Sequence, residues 1–245
     1  MIIKLRIVLF SLVWLLKLRK IRSVWKKHTK KKVELSAEFR SNLILSYSKF
    51  ILKLFSIKVK VFGYENLPKN ASVIIVNRNS IVDHFILFSA LENHEKGEDE
   101  VNPILSFLLQ KEYYNRKNKW IFGSLDSLFL TDDQKKNNLE LNNFLKSVRE
   151  KRSFGVVFSK EVNQNSTFQF PIDIFSATKK VGLPIVPITI NFSDKNSHKT
   201  SRKKVQNVEV LIHKPIKTGT VFSQTSKSLF LATKKAIFES YNGDK

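Results

Sequence analysis

Three adjoining stretches decide the fold: Val59-Lys-Val-Phe-Gly63-Tyr-Glu-Asn-Leu-Pro68, Ser72-Val-Ile-Ile-Val76 and Asn77-Arg-Asn-Ser-Ile-Val-Asp83. Val59 and Val61 alternate with lysines, as a half-buried strand requires. Ser72–Val76 is an almost continuous apolar run, the pattern of an inner strand covered on both faces. After Asp83 the chain reads as helix to about Leu91, so a polar turn links a buried strand to a helix.

Outward from this unit the alternation continues. A charged loop is expected over 92–100, a helix over 104–114 and a strand over 127–130. Asp132 or Asp133 is placed to cap a helix carrying Leu141, Leu145 and Val148. Strands over 155–158, 185–190 and 208–213, with helices over 175–181 and 226–241, complete the series, and 194–204 reads as a polar surface loop. Strands that alternate with helices imply an α/β fold with a mostly parallel, twisted sheet flanked by helices on both faces.

The chain has 245 residues, 42% of them hydrophobic and 26% charged, enough for one well-buried domain with an appendage. It contains no cysteine, which excludes disulfides, thiolate metal sites and a cysteine nucleophile. No metal site and no cofactor are expected. The net charge of +22 calls for an anionic partner. Residues 1–32 hold eleven of the 43 basic residues and no acidic one, so the excess is concentrated at the N-terminus.

That terminus also holds Ile7-Val-Leu-Phe-Ser-Leu-Val-Trp-Leu-Leu16, ten uncharged residues between Lys4/Arg6 and Lys17/Arg19/Lys20. Ten is short of the roughly 20 apolar residues of a spanning helix, and an interfacial or shallowly inserted helix fits better. No small-residue site follows, so cleavage as a signal peptide is not expected. The basic residues from Arg22 to Lys32, with Trp14 and Trp25, suit acidic head groups. Over 41–55, Leu43, Ile44, Tyr47, Phe50, Ile51, Leu54 and Phe55 recur at helical spacing, and core packing is their expected role. Residues 1–56 are therefore assigned to a membrane-associating helical region and 57–245 to the α/β domain.

The opening motifs resemble those of the glycerolipid acyltransferases that make phosphatidic acid from lysophosphatidic acid. In that family Gly-x-Glu-Asn-Leu-Pro, an apolar strand and Asn-His-x-Ser-x-x-Asp follow one another at this spacing. The resemblance covers about residues 57–216, including Lys111-Glu112, Gly182-Leu-Pro-Ile-Val-Pro187 and Pro215-Ile216. It implies a glycerol-3-phosphate acyltransferase-like fold in which a histidine takes the acceptor hydroxyl's proton, an aspartate five residues on orients it, and no covalent intermediate forms.

Here Asn77, Ser80 and Asp83 match, but Arg78 stands at the position of the histidine. Arginine stays protonated and cannot accept that proton. The resemblance implies that Asn77 and Ser80, with Phe129, Lys160 and Glu161, contact substrate. His84 adjoins Asp83 but projects about 100° away from it on a helix, and reads as a packed histidine before a replacement base. An Arg78–Asp83 ion pair would keep the shape of the turn. The second family motif, Gly-x-x-Phe-x-x-Arg, corresponds to Asp126–Asp132, with Phe129 kept and aspartate at both outer positions. The carboxylates of Asp126 and Asp132 are both expected to repel the acceptor phosphate that the family's arginine attracts. The third, Phe-Pro-Glu-Gly-Thr-Arg, corresponds to Phe158-Ser-Lys-Glu-Val-Asn163, where Lys160 and the displaced Glu161 are the polar candidates. The turn over 77–83 is expected beside 158–161.

Two functions follow. One is a divergent acyltransferase at the cytoplasmic membrane face, using an acyl thioester and a lysophospholipid. The other is a non-catalytic relative that keeps a lipid-binding groove, with Arg78 and Lys160 on a lipid phosphate, and pairs with an intact acyltransferase. Nucleic-acid binding would account for the charge but leaves the apolar stretch and the motifs unexplained.

Overall fold

The computed structural model describes residues 2–78, 80–93, 101–162, 167–169, 172–192 and 205–240. The expected loop over 194–204 and most of that over 92–100 lie outside them.

Two helices open the chain. Helix α1 (Ile2–Trp25) runs without a break and loosens over Lys26–Lys30, where Lys31 N–H reaches back five residues to Lys26 O. Leu18, Ile21, Val24 and Trp25 bury one side of its second half, while Val8, Leu9, Phe10, Leu12, Val13, Leu15 and Leu16 remain 40–69% exposed. Among the described residues no helix is long and apolar enough to cross a membrane. Helix α2 (Ala37–Phe55) starts where Ser36 Oγ accepts from Phe39 N and ends at Ser56 in the left-handed conformation. Its Ile44, Tyr47, Ile51 and Leu54 are buried, in keeping with the helical spacing of that stretch.

The sheet comprises β1 (Ile57–Phe62), β2 (Ser72–Val76), β3 (Leu105–Leu109), β4 (Leu128–Phe129), β5 (Phe154–Phe158), β8 (Ile185–Phe192) and β9 (Gln206–Ile212), in the order β1-β9-β8-β2-β5-β3-β4. Among the described residues of this sheet, β8 and β9 alone pair antiparallel, and the other neighbours run parallel. A separate hairpin joins β6 (Lys160–Val162) to β7 (Thr167–Gln169). The helices after β2 are α3 (Ile81–Ala90), α4 (Arg116–Gly123), α5 (Gln134–Glu150), α6 (Ile172–Val181), α7 (Thr218–Ser223) and α8 (Ser226–Glu239).

Alternate residues of β2 serve opposite layers. Ile74 and Val76 pack with α1 to α4, whereas Val73 and Ile75 pack with α5, α6, α7 and α8. The helices of residues 1–56 thus share a core with the sheet.

The stretch 104–114 departs from expectation. In place of a helix it forms β3 and then a short 3₁₀ turn, Lys111–Tyr113. Leu105–Leu109 is buried on both faces and pairs with β5, Leu105 opposite Phe154, and a fully buried run carries no periodicity to separate helix from strand. Asp133, of the two aspartates considered, caps α5 through Lys136 N. Helix α4 went unread in the sequence although Asn115 caps it, accepting from Lys117 N and Asn118 N.

Candidate active site

The candidate site lies where β2 and β5 end side by side, Val76 opposite Phe158. Two bonds tie the ends together: Ser159 N donates to Val76 O and Ser159 Oγ to Asn77 O at 2.6 Å. The turn over 77–83 therefore sits beside 158–161, as its spacing implied.

Asn77 is buried. Its Oδ1 accepts from Ile190 N at 2.7 Å and its Nδ2 donates to Ile190 O at 3.2 Å, so the amide bridges β2 to β8. Expected on sequence grounds to touch substrate, Asn77 has both ends of its amide committed to backbone. Ser80 caps α3, with its Oγ accepting from Val82 N at 3.4 Å, while Asp83 Oδ2 accepts from Ser80 N at 2.7 Å. Asp83 is fully buried in the first turn, where the helix dipole favours an anion. Asn79 lies outside the described residues.

Arg78 rests with its guanidinium carbon 4.5 Å from the centre of the Phe192 ring, and its Nε is 3.8 Å from Asp83 Oδ2. The side chain is 15% exposed. A permanent cation thus covers the buried aspartate, and the position offers no lone pair to an incoming hydroxyl.

His84 points into the core. Its ring lies 4.2 Å from Phe158, 5.1 Å from Phe122, 5.3 Å from Phe107 and 5.6 Å from Tyr113, centre to centre. Nδ1 lies 2.9 Å from Ser80 O; a carbonyl only accepts, so this nitrogen carries the proton and donates it. Nε2 is buried with no hydrogen-bond partner among the described residues. Burial lowers the pKa to about 4, opposed by the Ser80 carbonyl, so the ring is neutral near pH 7. Fully enclosed and a weak base, it is poorly placed to reach a lipid hydroxyl.

Phe129 is half-buried and meets Tyr114 edge-on at 5.3 Å. Lys160 and Glu161 lie in β6, directly after Ser159, but their side chains are outside the described part of the structure. Lys111 and Asp132, which follow β3 and β4 at the same end of the sheet as Arg78, form an exposed ion pair.

Asp126, by contrast, lies at the opposite end of β4. It accepts from His28 Nε2 at 2.7 Å, from Lys151 Nζ at 2.9 Å and from Arg40 Nη2 at 3.1 Å. Burial would raise its pKa, but these hydrogen bonds and charges outweigh it and hold the carboxyl at about 2. Its backbone is left-handed, φ +54°, a conformation aspartate tolerates better than most residues and glycine best. The expectation that it repels substrate phosphate is thereby corrected. Asp126 closes a clasp between the N-terminal helices and the sheet, which its sequence position did not disclose because residues 28, 40 and 151 are remote from it.

A mostly parallel sheet with a strand–turn–helix unit and a buried aspartate at the strand ends defines an α/β protein whose working turn follows its inner strand. A family model described as Acyltransferase matches residues 58–191. The probable 1-acyl-sn-glycerol-3-phosphate acyltransferase of Mycoplasma pneumoniae is 24% identical over 191 residues, 76% of this chain and 68% of that protein. The crystal structure of the 1-acyl-sn-glycerophosphate (LPA) acyltransferase PlsC from Thermotoga maritima matches with a TM-score of 0.59 at 18% identity, covering 93% of this chain and 95% of that one. At that identity the likeness concerns the fold. The chain belongs to the acyltransferase family.

Proposed function

We propose that this chain works at the cytoplasmic membrane face, taking a lysophospholipid and an acyl thioester to the strand ends around Asp83, with its own acyl transfer slowed or lost and lipid binding retained. The observation that carries this reading is the Arg78–Asp83 contact at 3.8 Å, with the guanidinium over Phe192. Loss of a positioned acid–base group costs roughly 10²–10⁴-fold in rate. Arg78 supplies a cation for a lipid phosphate in exchange.

Membrane seating is supported by the exposed apolar residues of α1 between Val8 and Leu16, next to the basic run 17–32. Acylation of lysophosphatidic acid in vesicles, with an acyl thioester donor, tests the reading. Little turnover with saturable binding of the lysolipid is expected. Robust turnover by the wild type, abolished by His84→Ala in a variant that still folds, would overturn it in favour of a working enzyme with a relocated base.

A further inference from the structure

At the other end of the strands, Ala71 and Pro184, the residues that precede β2 and β8, help to line a surface cleft of about 430 Å³. At about 3.3 Å per residue, the length of β2 puts this cleft roughly 17 Å from the Arg78 turn, with the sheet between them. Three basic side chains line it from three separate segments: Arg149 from the end of α5, Arg152 from the turn into β5, and Lys217 from the approach to α7. No carboxylate is among the lining residues. The larger neighbouring cavity, about 800 Å³, shares Pro68 and Arg152 with the cleft but differs in mixing Glu38 and Glu65 with Lys69 and Lys151.

The cleft is shaped as well as charged. Arg149 Nη1 donates to Val181 O at 2.9 Å, which fixes one guanidinium against the wall. Arg152 adopts φ +49°, the left-handed residue that follows α5, and its side chain is exposed in the cleft lining. Gly182, at φ +72°, lines the cleft with no side chain, and a Cβ there would lie 2.6 Å from the Phe222 ring. The side chains of Arg152 and Lys217 make no ion pair or hydrogen bond within the described residues, whereas their backbones bond to Arg149 O and Val221 N. Like charges converging without a counter-charge repel one another unless an anion joins them.

We infer that this cleft is an anion site for a phosphate-bearing ligand, separate from the acyl-transfer site: the side chains of Arg152 and Lys217 close on the phosphate while Arg149 fixes its position. Either a phospholipid head group or a soluble phosphate ester carries the required chemistry.

Titration of the full-length protein with inorganic pyrophosphate at fixed ionic strength tests the inference. Wild type and the control Lys227→Ala should bind with the same Kd, and the double variant Arg152→Ala/Lys217→Ala at least tenfold more weakly. All three substituted side chains are exposed, and an unchanged thermal melt confirms that the variants fold. Equal affinity in the double variant and the control would overturn the site, because attraction would then stem from the net charge of +22 alone. Absence of saturable binding would overturn it too. Competition distinguishes the two sources. Displacement of pyrophosphate by glycerol 3-phosphate, with unaltered vesicle flotation of the double variant, assigns a soluble ester. Displacement by vesicles containing phosphatidic acid, with reduced flotation of the double variant, assigns a head group.

Discussion

Arg78 and Asp132 stand where the resemblance puts the family's base and its phosphate-binding arginine, and their contacts say how each is to be reversed. Arg78→His replaces a permanent cation with a base able to face Asp83, yet should raise lysophosphatidic acid acylation only slightly. Asp132 still occupies Lys111, and Asp132→Arg both removes that carboxylate and adds a charge for the phosphate. The double variant should exceed the sum of the single gains, measured as initial rate at fixed lysolipid. His84 gives a separate prediction in pH. Its folded pKa of about 4 lies below the usual 6.5, so the unfolded chain takes up the proton first. Stability contributed by neutral His84 is complete above pH 6.5 and falls progressively toward pH 4, by about 3 kcal/mol for a shift of this size. Denaturant unfolding at pH 7, 5.5 and 4.5 should show that loss, and His84→Phe should flatten it. That His84 packs was legible from the apolar residues flanking it. Its cage was not, since Phe107, Tyr113, Phe122 and Phe158 converge on it from β3, the 3₁₀ turn after it, α4 and β5.

At the scale of elements, the sequence spoke clearly wherever burial leaves a pattern. Ser72–Val76 reads as an inner strand because both faces are covered, and the α2 face reads as a helix because one face is. Leu105–Leu109 misleads for the same physical reason: covered all round and followed by Lys111, it is as apolar as a short helix. The Asp126 clasp belongs to this scale, since it joins α1, α2 and the turn before β5. Asp126→Ala leaves Arg40, nearly fully buried, without its carboxylate, and should cost on the order of 2 kcal/mol by urea denaturation. Asp126→Gly removes the same carboxylate but suits φ +54°, and should be less destabilised than the alanine variant by about 1 kcal/mol. The same melt as wild type for both would show that the clasp contributes nothing.

For the whole molecule, the proposed membrane seating is tested through α1. Leu9, Leu12 and Leu16 of α1 can be altered without disturbing the core, because each is more than half exposed, whereas Trp14 and the buried residues from Leu18 on pack against it. Leu9→Ser, Leu12→Ser and Leu16→Ser combined should leave the melt unchanged and reduce flotation with acidic liposomes severalfold, and the remaining binding should weaken as salt rises. Removing residues 1–32 is the poorer test, since it deletes Leu18, Ile21, Val24 and Trp25 from the core. Flotation that survives the triple substitution would place membrane contact elsewhere on the surface.

The unbroken course of α1, from exposed apolar residues between Val8 and Leu16 to a second half locked into the sheet's core, bears on how such a protein samples its surroundings. A flexible tether lets a domain search a volume, whereas a stiff mount holds it at one height and one tilt. Seated through α1, the turn at Arg78 would stay at a constant depth relative to the head groups, meeting lipids that diffuse laterally in its own leaflet. Its encounter rate would then follow the surface density of the lysolipid and not its concentration in bulk.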